Sequence, residues 1–211
     1  CGKTLLLDQL KDTIDLEGLA NHRGSAFGNT TTPQPTQINF ENTLAIELIK
    51  KQANSRLVFE DEGSNVGTVH IPQCVQDKTS QTELILLEAS VAERLEVSMD
   101  AYVINMQQDF ITQDTTNGFD NFSNYWLNSL EKIQRRLGLE RYKSLLQLVN
   151  SALVKYKEQG DPEGFYPVVE ELLVGYYDPM YDYQIQKKMG RVIFKGNADE
   201  VLSYLNDRSI A

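Results

Sequence analysis

The triad Gly2-Lys3-Thr4, followed by Leu5-Leu6-Leu7, has the composition of the end of a phosphate-binding loop. In such loops the pattern Gly, four residues, Gly-Lys-Ser/Thr joins a strand to a helix, and backbone N–H groups hold phosphate oxygens. The residue types therefore predict that Lys3 binds terminal phosphates and that the Thr4 hydroxyl binds Mg²⁺. Cys1 would bind phosphate through its backbone. The first glycine of the pattern would precede residue 1, so we expect this sequence to begin inside the loop.

A second group of candidate residues follows an apolar strand. Leu57-Val58-Phe59 runs directly into Glu60-Asp61-Glu62. Proteins with a phosphate loop keep at this place the acid that orients Mg²⁺. Glu60 and Asp61 are therefore candidate Mg²⁺ ligands, and the alternative is that the strand simply ends there in solvent.

Strands and helices alternate through residues 1–105, which predicts a parallel sheet flanked by helices. The candidate elements are strands at 13–16, 56–60 and 83–87 and helices at 4–11 and 39–53. From 106 to 211, apolar residues recur at three- and four-residue spacing, which predicts a mainly helical part with a last strand at 191–195. We therefore predict an α/β fold of the P-loop NTPase type, with a core over 1–105 and a helical extension over 106–211.

Composition places the chain among globular proteins, since 41% of its 211 residues are hydrophobic and 24% are charged. No apolar run approaches the ~20 residues of a membrane span, which excludes an integral membrane protein. Two cysteines, Cys1 and Cys74, are too few for a disulfide framework and suit a reducing cytosol. The net charge of -10 argues against a surface coated with nucleic-acid-binding charge.

That average charge hides two basic islands in the second half. The first island has one acid, Glu140, and the seven bases Lys132, Arg135, Arg136, Arg141, Lys143, Lys155 and Lys157. The second island consists of Lys187, Lys188, Arg191 and Lys195. Either island could neutralise phosphates of a nucleic acid, and the alternative is a solvated helix face.

The segment 14–28, Ile-Asp-Leu-Glu-Gly-Leu-Ala-Asn-His-Arg-Gly-Ser-Ala-Phe-Gly, resembles the most distinctive stretch of the tRNA 2-selenouridine synthases. The resemblance continues in order through Gln34-Pro35-Thr36-Gln37, Phe40-Glu41-Asn42, Phe59-Glu60-Asp61-Glu62, Val66-Gly67, Leu87-Glu88-Ala89-Ser90-Val91-Ala92-Glu93-Arg94, Tyr176-Tyr177-Asp178-Pro179-Met180-Tyr181 and Arg191-Val192-Ile193-Phe194-Lys195-Gly196. It covers nearly the whole chain, and an ordered series of motifs is far more specific than the phosphate loop alone.

The resemblance implies a cytoplasmic transferase that replaces the sulfur of 2-thiouridine, at the wobble position of tRNA, with selenium from selenophosphate. The family also attaches a geranyl group from geranyl diphosphate to that sulfur, and the S-geranyl base is the implied intermediate. Its members join a rhodanese domain, which carries the catalytic cysteine, to a P-loop domain. This chain would be the P-loop fragment, which binds the phosphorylated donor and tRNA and acts with the rhodanese domain of the same polypeptide.

The resemblance also suggests roles for residues near the first strand. Asp15 joins the candidate Mg²⁺ ligands. Arg23 would clamp a phosphate, Ser25 would bind it as well, and His22 would donate a hydrogen bond or act as a general acid, because ligands bind where parallel strands end. The alternative pairs Arg23 with Asp15 or Glu17 and has His22 cap the backbone.

Residues further along the chain are candidates for contacts with phosphate or tRNA. Arg94 resembles the lid-side arginine of nucleoside monophosphate kinases, and a salt bridge with Glu88 is the alternative. Tyr177 and Tyr181 would stack on unpaired anticodon bases, unless they belong to the core. For the tRNA backbone we choose the basic residues Lys132, Arg135, Arg136, Arg141 and Lys143.

Three functions therefore compete. The first is a tRNA-modifying transferase domain that binds selenophosphate or geranyl diphosphate. The second is a small-molecule kinase or NTPase of the nucleoside monophosphate kinase type, which would turn over ATP or GTP without tRNA. The third is a non-catalytic tRNA-docking module.

Overall fold

In a computed structural model, which describes residues 2–54 and 56–209, the chain forms two compact units. In chain order the helices and strands are α1 (Lys3–Leu7), β1 (Thr13–Ile14), α2 (Leu16–Leu19), α3 (Gln37–Lys50), β2 (Val58–Phe59), β3 (Asn65–Val66), β4 (Val69–His70), α4 (Gln73–Thr79), β5 (Leu84–Leu87), α5 (Val91–Met99), α6 (Asn105–Gln113), α7 (Gly118–Leu137), α8 (Leu139–Gln159), α9 (Tyr166–Leu172), α10 (Asp178–Lys188), β6 (Val192–Gly196) and α11 (Ala198–Ser209). π-helical turns follow α5 and α9, at Asp100–Ile104 and Leu173–Tyr177, and 3₁₀ turns lie at Pro162–Phe165 and Met189–Arg191.

Four strands of the first unit form two parallel pairs, as the alternating pattern predicted. β1 lies parallel to β2, with Ile14 opposite Phe59, and β5 lies parallel to β6, with Leu87 opposite Gly196. β3 and β4 form an antiparallel hairpin. The strand predicted at 191–195 is thus confirmed as β6. Among the described residues the strands form three two-stranded sheets, so their union into one P-loop sheet stays a prediction.

Helix α3 holds the first unit together because one of its faces is apolar. Phe40 and Leu44, one turn apart, are both buried. The helix begins at the Thr36 side chain, which accepts a hydrogen bond from the N–H of Asn39. The other buried members of this core are Ile14, Leu16, Ala20, Val66, Val69 and Ile71. The core therefore connects α3 to β1, α2 and the β3–β4 hairpin, close to the ends of β1 and β2.

The second unit is helical, which confirms the reading of the apolar spacing. α7 and α8 lie against each other, and Gly138, with φ of 81°, makes the turn between them in a conformation that favours glycine. Trp126 and Phe122 of α7 surround the buried Phe165, with ring centroids 4.8 Å and 6.0 Å from it. Aromatic packing of this kind gives the unit its own core.

The boundary between the units differs from the predicted one at residue 105. The first unit extends to Ala89 and takes up the chain again at Lys188, and the second extends from Ser90 to Lys187. The predicted capping box is present, since the Ser90 and Glu93 side chains each bond the other's backbone N–H, and α5 begins there. Because α5 packs on α9, it belongs with the helices that follow it.

Candidate functional site

The carboxyl ends of β1 and β2 lie side by side because the two strands are parallel. Asp15 follows β1, and Glu60 and Glu62 follow β2. Lys3 reaches the same edge, where its Nζ atom lies 2.5 Å from Oε1 of Glu62. The lysine of the Gly-Lys-Thr motif and the acids after the strands therefore form one cluster. We call this cluster, composed of Lys3, Asp15, Glu17, Glu60 and Glu62, the acid edge.

Glu60 is the buried acid of this cluster, with only 4% of its surface exposed. Its Oε2 atom accepts a hydrogen bond from the backbone N–H of Glu17, over 3.1 Å. Its Oε1 atom is buried and has no hydrogen-bond partner among residues 2–54 and 56–209. An ionised carboxylate in that situation is costly, so Glu60 has the capacity to take up a proton or a cation.

Burial changes the proton affinity of two glutamates in the acid edge. It raises the pKa of Glu60 to about 7, although the hydrogen bond from the Glu17 N–H opposes this. Burial also raises the pKa of Glu17 to about 7, against the attraction of Lys3 and with the repulsion of Glu62. For Lys3, burial lowers the pKa, but the carboxylates, Glu62 first, outweigh burial and raise it above its ordinary value. Lys3 therefore stays positively charged, while Glu17 and Glu60 exchange protons with the solvent near neutral pH.

The four predicted Mg²⁺ ligands have different surroundings. Thr4 is exposed, Asp15 accepts a hydrogen bond from the N–H of Gly18 and so caps α2, and Asp61 lies 2.6 Å from Nζ of Lys188. Within the part of the chain that the structure describes, no group of three or more His, Cys, Asp or Glu side chains is arranged to hold a metal ion. Glu60, with its unpaired oxygen, has the surroundings that best fit a cation.

The loop after α2 closes over the acid edge. Gly24 has a φ of 66°, and a Cβ atom there would lie 2.5 Å from Oε1 of Glu17 and 3.0 Å from Oε2 of Glu62. The buried His22 shapes this loop, since its Nδ1 atom accepts a hydrogen bond from the N–H of Gly24. A Cβ atom on Gly28 would lie 2.7 Å from the same imidazole. His22 is therefore placed to hold the loop against the carboxylates.

Two of the predicted phosphate ligands, Arg23 and Ser25, belong to this loop. Arg23 is half-buried and directly precedes Gly24. Its backbone N–H donates to the carbonyl of Gly28 over 2.8 Å, which closes the loop. The Ser25 hydroxyl accepts a hydrogen bond from the N–H of Phe27. Gly2 precedes α1 with a φ of 85°, and Cys1 lies outside the described residues.

Arg94 lies in the second unit and binds an acid that the sequence did not suggest. Its Nη1 and Nη2 atoms lie 2.5 Å and 2.9 Å from the two carboxylate oxygens of Asp178. The alternative partner, Glu88, is wrong, because Glu88 pairs with Lys195 over 2.8 Å. The guanidinium of Arg94 is thus already occupied by a carboxylate.

The first basic island contains both paired and unpaired cations. Arg141 pairs with Glu171, Lys155 with Asp161 and Lys157 with Asp120. The remaining four bases are exposed and have no ion pair to any residue in 2–54 or 56–209; they are Lys132, Arg135, Arg136 and Lys143. They lie near the turn between α7 and α8, on two adjacent helices, and their charge is available to an anionic partner.

The second basic island is used inside the protein. Lys188 pairs with Asp61, and Lys195 pairs with Glu88. Arg191 donates hydrogen bonds to three backbone carbonyls at the end of α4, and Lys187 lies over the Tyr183 ring at 4.2 Å. The ion pairs and hydrogen bonds of Lys188, Arg191 and Lys195 take up three of the charges that the sequence had left open for nucleic acid.

The two predicted stacking tyrosines contact each other. The rings of Tyr177 and Tyr181 are stacked, with centroids 6.2 Å apart and planes 29° apart. Tyr181 is 48% exposed, whereas Tyr177 is half-buried. Their ring contact lies in the same unit as Arg94 and Asp178.

Sequence reasoning missed Glu17, Glu62 and Gln34 as members of the site. Glu62 is the counterion of Lys3, and Glu17 packs under Gly24. The Gln34 amide donates to the carbonyls of Ala20 and Val66, so it ties the loop to the hairpin. Glu17 and Glu62 had a visible signal, since both lie within two residues of acids that were singled out. Gln34 opens the family motif Gln34-Pro35-Thr36-Gln37, but its bonds to Val66 and Thr68 join residues more than thirty positions apart, which local spacing does not predict.

The raised pKa values predict how stability depends on pH. Between about pH 4.5 and 7 the folded chain keeps protons on Glu17 and Glu60 that the unfolded chain releases, so the free energy of unfolding falls as the pH rises. In Glu60→Gln the free energy of unfolding should fall less steeply with pH, and the slope should change by at most about 1.4 kcal/mol per pH unit. Urea unfolding at pH 5, 6 and 7 measures it. The exposed Glu131→Gln serves as a control and should keep the wild-type slope; an unchanged slope in Glu60→Gln contradicts the assignment.

Comparisons with known proteins find one family over the whole chain. A family model described as "tRNA 2-selenouridine synthase AAA domain" matches residues 1–211. The chain is 41% identical over 208 residues to the tRNA 2-selenouridine synthase of Sulfurovum sp. (strain NBC37-1), covering 98% of this chain and 57% of that protein. It is 44% identical over 211 residues to that of Pseudomonas savastanoi pv. phaseolicola (strain 1448A / Race 6), covering 99% and 58%.

These matches set the extent of the likeness. The chain spans 57% to 58% of the length of these relatives. No solved structure matches it. Among the described residues no helix is both long and apolar enough to cross a membrane. On the family match and these identities, the chain belongs to the tRNA 2-selenouridine synthase family.

Proposed function

We propose that this chain is the part of a tRNA 2-selenouridine synthase that binds the phosphorylated donor at the acid edge and binds tRNA through the α7–α8 turn. Binding of the phosphorylated donor is supported by the contact of Lys3 with Glu62. Their Nζ and Oε1 atoms lie 2.5 Å apart, at the end of two parallel strands. A lysine in a Gly-Lys-Thr motif that is held by one exchangeable carboxylate is suited to bind phosphate in its place.

Phosphate binding would replace one anion on Lys3 with another. When the ligand takes the ammonium, Glu62 loses its counterion next to Glu17 and Glu60. The released negative charge must then be balanced by protons or by a cation, because carboxylates this close repel one another. Mg²⁺ fits this requirement, and Glu60, with its unpaired oxygen, would hold it together with Asp15 or Thr4. Bound there, Mg²⁺ would neutralise phosphate charge.

The loop over the acid edge would supply further donors. Arg23 follows the buried His22 and precedes Gly24, which lies against Glu17 and Glu62. We propose that the Arg23 guanidinium binds a second phosphate oxygen and that His22 acts by holding the loop in position. The donor is selenophosphate or geranyl diphosphate, both of which carry the phosphate groups that this arrangement would take.

The α7–α8 turn is the proposed contact for the tRNA backbone. Arg135 and Arg136 lie three and four residues after Lys132, so both neighbour Lys132 on the surface of α7. Lys143 adds a charge from α8, and all four are exposed and without an ion pair in the described part of the chain. Phosphate contacts of this kind position a nucleic acid without reading its sequence.

In the whole enzyme, the geranyl group would pass from the diphosphate to the sulfur of wobble 2-thiouridine, and diphosphate would leave. Selenophosphate would then attack the base through selenium, the S-geranyl group would leave as geranylthiol, and hydrolysis of the Se–P bond would release phosphate. The rhodanese domain of the same polypeptide would provide the reactive cysteine. Cys74 is a free, exposed cysteine of the first unit.

Replacing Lys3→Ala tests the phosphate site. The wild-type protein should gain thermal stability with geranyl diphosphate or selenophosphate, because a ligand that binds the folded state raises the melting temperature. Lys3→Ala should lose this gain, since the ligand's main cationic contact is removed. Thermal shift measurements with each ligand, and with ATP and GTP, compare the donors.

The matched control is Lys50→Ala, an exposed lysine paired with Glu47 on α3, which should keep the full shift. An equal shift in Lys3→Ala and wild type refutes the phosphate site. A shift with ATP or GTP alone, with turnover in the absence of tRNA, would instead favour the small-molecule kinase or NTPase.

Charge reversal at Arg135→Glu and Arg136→Glu tests the tRNA contact. The double variant should bind tRNA more weakly. The plot of log affinity against log salt should become shallower by roughly 1 to 2, because fewer phosphate contacts mean that fewer counterions are released on binding. Filter binding at several salt concentrations measures both effects. Arg56→Glu with Lys78→Glu, at exposed sites of the first unit, changes net charge by the same amount and should leave both quantities near wild type. Equal losses in the two double variants would sink the assignment.

A further inference from the structure

The ion pair between Arg94 and Asp178 has no role in the site described so far. It joins α5 to the start of α10 across 84 residues of sequence. Two guanidinium nitrogens contact two carboxylate oxygens, at 2.5 Å and 2.9 Å, which is the strong two-point geometry. The side chains are only 22% and 25% exposed, so water and salt screen the pair weakly.

The guanidinium of Arg94 has little left to offer a ligand. Its Nε atom is buried and has no hydrogen-bond partner among the described residues. Its Nη1 and Nη2 atoms both contact Asp178. Arg94 would therefore bind a phosphate only after leaving Asp178, and it is better suited to holding that carboxylate in place.

Asp178 lies between the two stacked tyrosines. The π-helical turn Leu173–Tyr177 ends immediately before it, and Tyr181 follows three residues later on α10. Tyr177 and Tyr181 are four residues apart, so their rings meet on one face, as their stacking shows. The ion pair at Asp178 thus fixes the rotation of the first turn of α10, and this rotation brings the rings of Tyr177 and Tyr181 together.

A second ion pair crosses the same π turn. Arg141 contacts Glu171 over 2.7 Å, and a Cβ atom on Gly175 would lie only 2.2 Å from the Arg141 guanidinium. Glycine at this position leaves room for the arginine over the turn. π turns are uncommon and occur often at functional sites, and here ion pairs flank one from both ends.

The helix that follows presents aromatic and cationic groups together. Tyr181 is 48% and Tyr183 60% exposed, and the ammonium of Lys187 lies 4.2 Å from the Tyr183 ring centre. Exposed aromatic rings interspersed with positive charge are typical of surfaces that bind unpaired bases, because every base has a face that stacks.

We propose that Arg94 and Asp178 are positioning residues that hold Tyr177 and Tyr181 in the arrangement that stacks on an unpaired RNA base. This inference rests on the proposed tRNA binding and adds the feature of the RNA that is recognised, an unstacked base in a single-stranded loop. Arg94 acts through Asp178 and does not touch the RNA.

The test compares binding of two RNAs of equal length, a hairpin with an unpaired loop and a blunt duplex. Arg94→Gln and Asp178→Asn should each weaken hairpin binding about tenfold and leave duplex binding unchanged, because only the loop base loses its stacking surface. The salt dependence of hairpin binding should stay the same, since no phosphate contact is removed. In a double variant, Asp178→Asn should add no further loss of hairpin binding to that of Tyr181→Leu, because both changes remove the same stacking contact with the base.

The matched control is Tyr166→Phe. It removes a different side-chain contact of α5, the 3.1 Å hydrogen bond from the Tyr166 hydroxyl of α9 to Glu96, and should leave binding of both RNAs unchanged. Tyr181→Leu leaves the ion pair intact, so its effect on the hairpin tests the stacking surface even if an ion-pair variant fails to fold.

The sign of the Asp178→Asn effect is decisive. If Arg94 bound RNA phosphates itself, this change would free it, and tighter hairpin binding would overturn the inference. Equal losses on hairpin and duplex, or a loss in Tyr166→Phe, would overturn it as well, because they indicate helix packing. If the wild-type protein binds the hairpin and Arg94→Gln binds it equally well, this inference alone is contradicted. If the wild-type protein binds neither RNA, the proposed function is contradicted.

Discussion

The first unit depends on one ammonium group among carboxylates. Lys3 contacts Glu62, while Glu17 and Glu60 lie close enough to raise its pKa. Without that positive charge, three acids at the ends of two neighbouring strands would repel one another. The contact thereby allows β1 and β2 to pair in parallel with acids at their ends, and it allows Gly24 to lie directly on two of the carboxylates.

In the proposed function, the same contact would couple three kinds of binding at the acid edge. A phosphate that takes Lys3 would release Glu62, and the released charge would favour uptake of a proton or a cation by the neighbouring acids. Glu60 is ready for either, since one of its oxygens is buried without a partner in the described chain. Phosphate, proton and Mg²⁺ would therefore affect one another's affinity without any large movement of the chain.

For the proposed tRNA binding, the places of the unpaired cations matter more than the net charge of -10. Cations near the C-terminus contact carboxylates, carbonyls or a tyrosine ring, as Lys188 and Arg191 do. Cations at the α7–α8 turn, such as Arg135 and Arg136, stay exposed without ion pairs in the described part of the chain. An acidic protein can hold a basic surface when its other bases are neutralised internally.

Local patterns in the sequence predicted most of the elements and part of the site. The capping box at Ser90, the helices of the second unit and the parallel pairing follow from short-range spacing, and each is confirmed. Contacts between distant residues were not predictable in this way. Asp178 is 84 residues from Arg94, and β6 returns to pair with β5, so neither the partner nor the boundary at Ser90 has a local signal.

The central claim is that Lys3 exchanges Glu62 for a phosphate, and Glu62→Gln tests it most directly. Calorimetric titration with pyrophosphate, without Mg²⁺, compares this variant with wild type and with Glu88→Gln, whose acid pairs with Lys195 in the same unit. The exchange predicts that Glu62→Gln binds pyrophosphate more tightly than wild type, because the competing carboxylate is gone, and that Glu88→Gln does not. Equal or weaker binding by Glu62→Gln would contradict the account.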